Sequence, residues 1–457
     1  MIIGIERVVV LSMLVGGCAS GPAAPPSPEP IEGTPPTSAA AGATTFTVLS
    51  YNVDGLPAIL QDGGQPDLYT PIIGQKIRDY DIINVQEDFN SHAALYAGDD
   101  HPFRTATTGG AGIGSGLNSL SRFAFSDDID RVTWTDRSGT DGNNLTPKGF
   151  TWLRLRIAEG LYIDLYNLHT NAGDVDEATA ARRANIDQIA AYIAANSAGN
   201  AILVFGDTNT RYTRDADNIR TLLAATGHDA WLDRVRGGTP PAQGSPALVW
   251  DDPNTALTDF GFEFVDKIFY RGNQFITLTA LDYAVEDSKF RDDTGHMLSD
   301  HRPIFTRFQY TLAADRKLGD QFGGPHGTSF TDVNAVPARP VVRTIGLRAG
   351  SRVDQVSLEL ADGTRFVHGG TGGTERTLTL ADGEHVTSVD LSADTASGHT
   401  RIFYAKFTTS AGRTLEGGSQ SGSSATFRAP AGWQIVGFHG RAGDELDKVG
   451  MIYAPIP

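Results

Sequence analysis

The sequence predicts an α/β domain followed by a second domain built only of β-strands. Up to about Tyr310, short apolar runs typical of strands alternate with at least one segment of helical spacing. Beyond that point helical periodicity disappears and short strand patterns are separated by Gly-rich turns. The length of 457 residues also exceeds the usual size of one domain.

The N-terminus has the features of a bacterial lipoprotein signal. The only cysteine, Cys18, follows an apolar stretch from Val8 to Val15, and residues 15–18 resemble the lipobox at which a lipid-modified cysteine is exposed. We expect residues 1–18 to be a signal peptide and Cys18 to carry the lipid that attaches the protein to a membrane outside the cytoplasm. The alternative is a stray cysteine within a conventional signal peptide.

A linker is expected to follow the signal. Residues 19–44 consist mostly of Pro, Ser, Ala, Thr and Gly, with little that could be buried in a core. This composition predicts a disordered tether.

The charge distribution disfavours an extended nucleic-acid surface. The formal net charge is −17, whereas residues 316–457 carry equal numbers of acidic and basic side chains, so the acidic excess lies in the N-terminal part. Tight binding along nucleic acid requires clustered Lys and Arg. No dedicated nucleic-acid surface is therefore expected.

Strands of the first domain are predicted wherever short apolar or alternating runs occur. Apolar and alanine positions at helical spacing predict the clearest helix over 176–198. The predicted strands are Phe46–Asn52, Asp81–Gln86, Phe150–Ile157, Leu161–His169, Ala201–Phe205 and Phe262–Tyr270.

The second domain is predicted from a change of pattern near residue 318. Residues 313–324 are polar and Gly-rich, and the strand candidates after them are separated by turns such as Asp362-Gly363 and Asp382-Gly383. We therefore expect one domain over 45–312 and another over 320–457. The strand candidates of the second are Val353–Leu360, Arg376–Leu380, Thr400–Thr408 and Trp433–Phe438.

Polar residues recur where the predicted strands of the first domain end. Taken singly, an Asp or Asn at such a position is more often a turn former than a functional group. Their sequence contexts make the set more informative. The residues are Asn52, Glu87, His169, Asp207, Asn209, Asp266, Asp300 and His301.

These contexts occur in the order and approximate spacing of the endonuclease/exonuclease/phosphatase superfamily, which the first domain resembles over about residues 45–310. The resemblance implies a four-layered sandwich of two mixed sheets flanked by helices, with a site where strand ends of both sheets converge. The matching segments are Ser50-Tyr-Asn52, Gln86-Glu87, Asn167-Leu-His169, Gly206-Asp-Thr-Asn209, Val265-Asp266-Lys-Ile and Ser299-Asp-His301.

The residue types suit hydrolysis of a phosphate ester, which needs charge neutralisation and a positioned water. Carboxylate and amide oxygens are ligands that Mg²⁺ prefers. We expect Glu87 to be the leading metal ligand, with Asn52 beside it and Asp300 completing the shell directly or through water. Mg²⁺ is the expected cofactor, and Mn²⁺ and Ca²⁺ are the alternatives.

The remaining polar residues are expected to perform the chemistry. Asp207 would accept a proton from the attacking water, and Asn209, two residues along, would donate to phosphate. The resemblance gives His301 and His169 contacts with phosphoryl oxygens and makes Asp266 the carboxylate that orients His301. For Asp266 the alternative is a salt bridge with a neighbouring cation, Lys267 or Arg271.

Two segments bear on the substrate. Lys148-Gly149 resembles a Lys-Gly pair of the neutral sphingomyelinases in this superfamily, although a plain turn with an exposed lysine is equally compatible with it. Residues 114–122 resemble a Gly-rich strand of the superfamily, with Asn118 and Ser119 in place of its usual apolar pair. The substrate therefore stays open between a lipid head group and another phosphodiester.

The C-terminal domain resembles the jacalin-like lectins over nearly all of residues 320–455. The matching segments are Gly323-Gly-Pro-His-Gly327-Thr-Ser-Phe-Thr-Asp332, Val353-Asp-Gln-Val-Ser-Leu, His368-Gly-Gly and Val436-Gly-Phe-His-Gly440. The implied fold is a β-prism of three sheets. Gly443, Asp444, Glu445, Leu446 and Asp447 match the sugar-binding loop of that family, and Gly327 lies where a glycine lines the same pocket.

Such a loop would bind a hexose through backbone N–H groups and the Asp447 carboxylate, with glycine allowing close approach. A β-prism that binds no sugar and serves as a spacer is the alternative. Taken together, the sequence predicts a metal-dependent phosphodiesterase brought to glycans by a lectin domain. The alternatives are an extracellular nuclease and a non-catalytic adhesin.

Overall fold

The computed structural model describes residues 44–57, 64–108, 113–140, 143, 145–250, 252, 255, 257 and 260–457. The predicted signal, the lipobox with Cys18 and the tether up to residue 43 lie outside the described residues. None of the helices in the described ranges combines the length and the apolar character needed to cross a lipid bilayer.

The first domain mixes strands and helices along the chain. Its strands are β1 (Thr44–Asn52), β2 (Ile82–Gln86), β3 (Phe103–Arg104), β4 (Asn118–Ser121), β5 (Ala124–Phe125), β6 (Asp130–Thr133), β7 (Gly149–Ala158), β8 (Leu161–His169), β9 (Ile202–Asp207), β10 (His228–Asp229), β11 (Asp266–Arg271), β12 (Ile276–Val285) and β13 (Ile304–Leu312). Its α-helices are α1 (Pro66–Lys76), α2 (His92–Gly98), α3 (Asp176–Asn196), α4 (Ile219–Thr226) and α5 (Ala230–Val235). Short 3-10 turns lie at Ile77–Asp79, Phe89–Ser91 and Asp287–Lys289.

These strands form two mixed sheets. The first has the order β12-β13-β1-β2-β4-β3 and the second the order β10-β11-β9-β8-β7-β5, with β6 also on β7. Pairing is parallel between β1 and β2 and between β8 and β9, and the other pairs are antiparallel. The two parallel pairs bring carboxyl ends of neighbouring strands to the same edge of each sheet.

The alternation of side chains along the strands produces the layers. In β1, Val48 points into the core shared by the two sheets, whereas Leu49 faces the side covered by α1 and α2. In β8, Leu165 points into the shared core and Tyr166 faces the cluster that contains side chains of α3. Successive residues of a strand point to opposite faces. The predicted four-layered sandwich is confirmed.

The C-terminal part consists of three antiparallel sheets, so the predicted β-prism is also confirmed. Their strand orders are β14-β26-β25-β16 with β15 also on β26, β19-β18-β17-β20, and β23-β22-β21-β24. The strands are β14 (Lys317–Leu318), β15 (Phe322–Gly323), β16 (Thr328–Thr331), β17 (Val342–Ala349), β18 (Val353–Leu360), β19 (Arg365–Gly369), β20 (Thr374–Thr379), β21 (Val386–Ala396), β22 (His399–Thr409), β23 (Thr414–Gly418), β24 (Ser423–Arg428), β25 (Trp433–Ala442) and β26 (Leu446–Pro455).

Most predicted strands shift by only a few residues, but the one expected over 262–270 begins later, at Asp266. The carboxylate of Glu263 accepts hydrogen bonds from the backbone N–H groups of Tyr212 and Thr213, and Lys267 donates to the same carboxylate at 3.0 Å. The segment before Asp266 is therefore held by a buried side chain and not by a neighbouring strand, which the apolar pattern could not show.

The prism docks on one end of the sandwich. Arg156 of β7 donates to both carboxylate oxygens of Asp320 at 2.9 and 2.6 Å, and the Tyr162 hydroxyl donates to Asp320 at 2.9 Å. Strand β8 begins beside this contact and ends at His169. Because nine residues of a strand extend about 30 Å, the docked prism and the carboxyl end of β8 lie at opposite ends of the sheet.

Candidate active site

Strand register brings the predicted polar residues together at the end of the sandwich away from the prism. His169 at the end of β8 is paired in register with Asp207 at the end of β9, and Asp207 is paired with Asp266 at the start of β11. In the other sheet, Asn52 is in register with Gln86, the residue before Glu87. Strand ends of both sheets therefore converge on one site.

The backbone turns sharply at Glu87, directly after β2. Its φ of +60° lies in the left-handed region, which is uncommon for a residue other than glycine. Gly55 packs against this turn so closely that a Cβ on it would lie 2.2 Å from the Glu87 carbonyl oxygen, and its N–H donates to that oxygen at 2.8 Å. This tight contact holds the Glu87 backbone in place and thereby sets the point from which its side chain extends.

Asp207 lies at the centre of the cluster. Its Oδ2 is 3.3 Å from Nδ2 of Asn52, 3.3 Å from Nε2 of His169 and 3.7 Å from Nε2 of His301. Its Oδ1 accepts the backbone N–H of Asn209 at 2.8 Å. Burial raises the pKa of the Asp207 carboxyl above its usual value, although the nearby His301 cation partly opposes this.

His301 is held by a carboxylate on its other side. Its Nδ1 lies 2.8 Å from Oδ2 of Asp266, whereas Lys267 binds Glu263 and Arg271 donates to backbone carbonyls. Burial works against a charged imidazole here, but the carboxylates of Asp266, Asp207 and Asp300 outweigh it and raise the pKa of His301 well above 6.5. The geometry matches the orienting carboxylate and not the salt bridge considered as its alternative.

His169 is in the opposite state. Burial lowers its pKa well below 6.5, and the positive charges of Lys148 and His301 lower it further, so this imidazole is neutral at pH 7. Its Nε2 lies 3.0 Å from Nζ of Lys148 and 3.6 Å from Oε1 of Glu87. The site therefore combines a charged and a neutral imidazole.

The structure adds Lys148 to the predicted site residues. In the sequence, the pair Lys148-Gly149 bears only on the substrate. The structure buries the lysine with 5% of its surface exposed and directs its ammonium group to His169, which is not the plain turn with an exposed lysine. A lysine is seldom buried without a partner or a function. The signal in the sequence was the local resemblance alone.

Asn209 and Asp300 lie at the edge of the cluster. The Asn209 side chain donates to the Thr170 carbonyl at 3.3 Å, which turns its amide away from Asp207. The Asp300 side chain is exposed and accepts from Ser299 Oγ at 3.4 Å. Among the described residues, no hydrogen bond or ion pair connects Asp300 to Glu87 or Asn52.

The donor set near Glu87 fits a hard divalent cation. Nδ2 of Asn52 donates to Oε1 of Glu87 at 3.2 Å, and 18% of the Glu87 side chain is open to solvent, which leaves room for water ligands. Mg²⁺ retains several waters and takes only one or two protein carboxylates. With the Asn52 amide turned as it is, its nitrogen faces Glu87, so binding a cation through Oδ1 requires the opposite orientation.

Within the described ranges, two groups of side chains have ligand atoms close enough to share an ion. They are Asp207, Asp266 and His301, and Asp99, Asp100 and His101. The first belongs to the site just described. In the second, both ring nitrogens of His101 are engaged, by Asp99 at 2.5 Å and by the Tyr80 carbonyl at 2.6 Å. These contacts give His101 a structural role.

A buried network of amides supports the cluster from below. Gln86 donates to Asn167 at 2.7 Å, and Asn167 donates to the carbonyls of Val85 and Asn118 at 2.9 and 3.0 Å. Ser119 donates to Asn84 at 2.6 Å. The Asn167 side chain therefore ties the two sheets together beneath the site, whereas Ser119 holds Asn84 within the first sheet.

The predicted sugar loop lies between β25 and β26, and Gly327 lies against it. A Cβ on Gly327, whose φ is +72°, would lie 2.5 Å from Oδ2 of Asp447, and one on Gly443 would lie 3.9 Å from the Cα of Gly327. Gly443 and Asp444 are exposed, whereas Leu446 and Asp447 are buried. The structure thus brings the two glycine segments and Asp447 together.

Side chains that the sequence did not single out surround this loop. Glu445 is bound by Arg352 and lies 2.6 Å from Nε of Arg401, and the rings of His326 and His399 stack with centroids 4.0 Å apart. They come from segments distant in sequence, so only the folded prism brings them together.

Comparison with known proteins gives a family for each part of the chain. Residues 54–235 match the model described as Endonuclease/Exonuclease/phosphatase family 2, and residues 319–452 match the Jacalin-like lectin domain. A sphingomyelinase of Mycobacterium bovis is 37% identical over 287 residues, which cover 61% of this chain and 55% of that protein. The chain thus spans about half the length of these relatives.

Horcolin of Hordeum vulgare is 34% identical over 140 residues, which cover 29% of this chain and 93% of that protein. Among solved structures, beta toxin 275-280 from Staphylococcus aureus is aligned with a TM-score of 0.40 and 17% identity, covering 57% of this chain and 99% of that one. The first domain thus matches the endonuclease/exonuclease/phosphatase family over residues 54–235, and the second domain belongs to the jacalin-like lectins.

Proposed function

We propose that this protein is a divalent-metal-dependent phosphodiesterase that acts on a lipid head group or another small phosphodiester. The observation that carries the proposal is the buried Asp207 carboxylate with two imidazoles of opposite charge state at 3.3 and 3.7 Å. The 37% identity to proteins named sphingomyelinase supports a lipid phosphodiester over a long nucleic acid. The acidic net charge of −17 also disfavours nucleic acid.

Asp207 is the proposed acceptor for a proton of the attacking water. Its Oδ2 faces the cluster while Oδ1 is held by the Asn209 N–H, so one oxygen is positioned and one is available. A raised carboxyl pKa brings the group closer to the operating pH, where general-base catalysis is most efficient. The water oxygen then forms the new bond to phosphorus as the ester bond breaks.

Charge on the phosphoryl group is stabilised by nearby donors. His301, kept cationic by Asp266, presents Nε2 toward the cluster, and Lys148 presents an ammonium group beside His169. Positioned positive charge in a buried site is worth far more than in water. Asn209 is assigned a contact with phosphate, which requires its amide to leave the Thr170 carbonyl.

Glu87 is the proposed metal ligand, with Asn52 beside it and Asp300 at the outer edge. Mg²⁺ is the proposed ion, with Mn²⁺ and Ca²⁺ as alternatives, since the donors are hard oxygens. When bound, the ion supplies polarisation of a phosphoryl oxygen. Burial raises the pKa of the Glu87 carboxyl. A cation bound beside it would favour the ionised form.

The jacalin-like domain is proposed to bind glycans through Gly327, the loop 443–447 and Asp447. The close approach of the two glycine segments places the exposed residues Gly443 and Asp444 next to one buried carboxylate, that of Asp447. The match of residues 319–452 to the Jacalin-like lectin domain supports this assignment. Attachment to a membrane outside the cytoplasm through Cys18 completes the proposal.

The test is hydrolysis by the purified protein in Mg²⁺, with sphingomyelin vesicles, duplex DNA, inositol phosphates and a chromogenic diester as substrates. We expect sphingomyelin or the small diester to be cleaved, and both chelator and His301→Ala to abolish the activity. His228→Ala is the matched control, since that histidine has 55% of its side chain exposed, on Asp233 and Tyr270.

The other outcomes separate the alternatives. Metal-dependent cleavage of DNA alone would favour the extracellular nuclease. If wild type and His301→Ala are equally inactive on all four substrates while the protein binds immobilised sugar, the adhesin is the better interpretation and the enzyme is rejected.

A further inference from the structure

Two cations stand directly opposite each other at the base of the sugar loop. Arg441 of β25 pairs in register with Lys448 of β26, and the loop 443–445 connects the two strands just beyond them. Their side chains are only 11% and 7% exposed. Like charges directly opposite on neighbouring strands are destabilising, and more so when solvent is excluded. A hairpin with this pair needs an anion nearby.

That anion comes from the other domain. Asp127, between β5 and β6 of the sandwich, is 1% exposed, and its Oδ1 accepts a hydrogen bond from Nζ of Lys448. Its Oδ2 lies 3.6 Å from Nη1 of Arg441. Lys448 also donates to the Ser126 carbonyl at 3.0 Å. The carboxylate of the catalytic domain thus contacts both cations of the lectin hairpin and offsets part of their mutual repulsion.

Arg441 transmits this contact to the sugar site. Its Nε donates to the His326 carbonyl at 3.1 Å and its Nη2 donates to the Gly327 carbonyl at 2.8 Å. Its guanidinium group also lies over the Trp152 ring of β7, 5.0 Å from the ring centre. One side chain therefore connects Asp127 and Trp152 of the catalytic domain with the segment that contains Gly327.

The position of the segment that contains Gly327 matters because little space separates it from the Asp447 carboxylate and from Ala442 of β25. A Cβ on Gly327 would lie 2.5 Å from the Asp447 carboxylate and 2.7 Å from the carbonyl carbon of Ala442. A shift of the Gly327 carbonyl toward or away from β25 therefore changes the pocket between the two glycine segments directly. Within the part of the chain that the structure describes, Asp127 is the carboxylate that pairs with Arg441 and with Lys448.

We propose that the catalytic domain is a structural part of the sugar site, with Asp127 as a positioning residue that holds Arg441 and, through it, Gly327. This inference rests on the proposed binding of glycans by the second domain. It means that the sugar affinity of this lectin domain depends on one carboxylate of the catalytic domain, Asp127, and not on docking in general.

The experiment is titration of the full chain with methyl mannoside and methyl galactoside by calorimetry. Asp127→Asn is expected to weaken binding of the preferred sugar by about 5- to 150-fold, the usual range of coupling between sites. Asp320→Asn is the matched control. It also removes a carboxylate that bridges the domains, but its side chain contacts Arg156, Gly160 and Tyr162, and not the sugar loop. We expect its sugar affinity to be that of the wild type.

A second variant separates positioning from loss of folding. In the Asp127→Asn background, Lys448→Met removes one of the two opposed cations and replaces it with an apolar chain of similar length. Replacing a buried ion pair with apolar groups is often tolerated. We expect the double variant to recover both melting temperature and part of the sugar affinity.

The possible outcomes distinguish the inference from its alternatives. Wild-type affinity in Asp127→Asn overturns the inference, and so does an equal loss in Asp320→Asn, since that would reflect docking in general. Failure of the Lys448→Met change to restore any affinity to a folded double variant also overturns it. If the wild type binds neither sugar and Asp447→Ala behaves identically, the proposed glycan binding itself fails.

Discussion

The two ends of the sandwich contain similar buried charges in opposite electrostatic states. At the catalytic end, burial raises the pKa values of Asp207 and Glu87. At the end that docks the prism, burial acts in the same direction, but Lys448 and other cations outweigh it for Asp127, and Arg156 outweighs it for Asp320, so both pKa values are lowered. The difference lies in the pairing and not in the depth of burial.

Asp164 shows what complete pairing looks like. It accepts from Nε and Nη2 of Arg154 at 2.7 and 3.2 Å, from Ser197 at 2.6 Å and from Asn200 at 2.9 Å. Asp207 instead has three neighbours at 3.3–3.7 Å around one oxygen. A buried carboxylate with satisfied partners stabilises the fold, whereas one with loose partners is available for chemistry.

The largest expected effect is on catalysis. Asp207→Asn should lower kcat/KM by about 10²- to 10⁴-fold, since a positioned general base contributes that much. Its melting temperature should not fall, because a buried carboxylate of raised pKa is replaced with a neutral amide. Asp320→Asn should do the reverse, losing stability while hydrolysis by the folded protein continues. Equal rates of hydrolysis for the two variants would contradict the difference inferred between the two ends of the sandwich.

The next effect is on stability at the docking end. Asp164→Asn leaves Arg154 buried without its carboxylate, and we expect a loss of about 3–5 kcal/mol in the free energy of unfolding, measured with urea. Asp282→Asn is the control, since its ion pair with Arg307 is about half exposed on both sides and should contribute at most about 1 kcal/mol. Similar losses for the two would show that the Asp164 network is not special.

The third prediction concerns pH. Burial, followed by the charge of Arg154, lowers the pKa of His439 to about 4, and its ring bonds to Gln321 and the Gly319 carbonyl suit the neutral form. Because the unfolded chain binds the proton more readily, the contribution of His439 to the free energy of unfolding is full above pH ~6.5. This contribution falls by about 3 kcal/mol as the pH drops to ~4.

The measurement is urea unfolding between pH 4 and 7. His439→Asn should remove most of this pH dependence, whereas His296→Asn, on a side chain 69% exposed, should retain it. A wild-type stability that does not change over this interval would contradict the prediction.

The smallest effect is expected at Lys148. Lys148→Met should lower kcat/KM by about 10- to 150-fold, corresponding to loss of a charged hydrogen bond of about 1.5–3 kcal/mol. Because Lys148 lowers the pKa of His169, the variant should also shift the pH-rate profile toward higher pH. Lys289→Met, on a side chain 60% exposed, should change neither quantity. An unchanged pH profile would leave Lys148 with a packing role only.

Local patterns predicted most of the fold and most of the site. The five-residue apolar run of β2 is buried along its whole length, and β8 spans 161–169 as expected. The predicted residues Asn52, Glu87, His169, Asp207, Asp266 and His301 meet at one site, because each stands where a strand ends or begins. Asn209, predicted to donate to phosphate, and Asp300, predicted to complete the metal shell directly or through water, lie at the edge of this site, because side-chain direction at a turn does not follow from spacing.

The sequence by itself determined the two fold classes, since alternation and helical spacing are local properties of the chain. It also contains the motifs that match the two families. Only the tertiary structure decided the charge states of the two imidazoles, the burial of Lys148 and the pairing of Asp127 with Arg441 and Lys448. Those properties depend on which groups meet across hundreds of residues and on how much water is excluded between them. Neither quantity is contained in a local pattern.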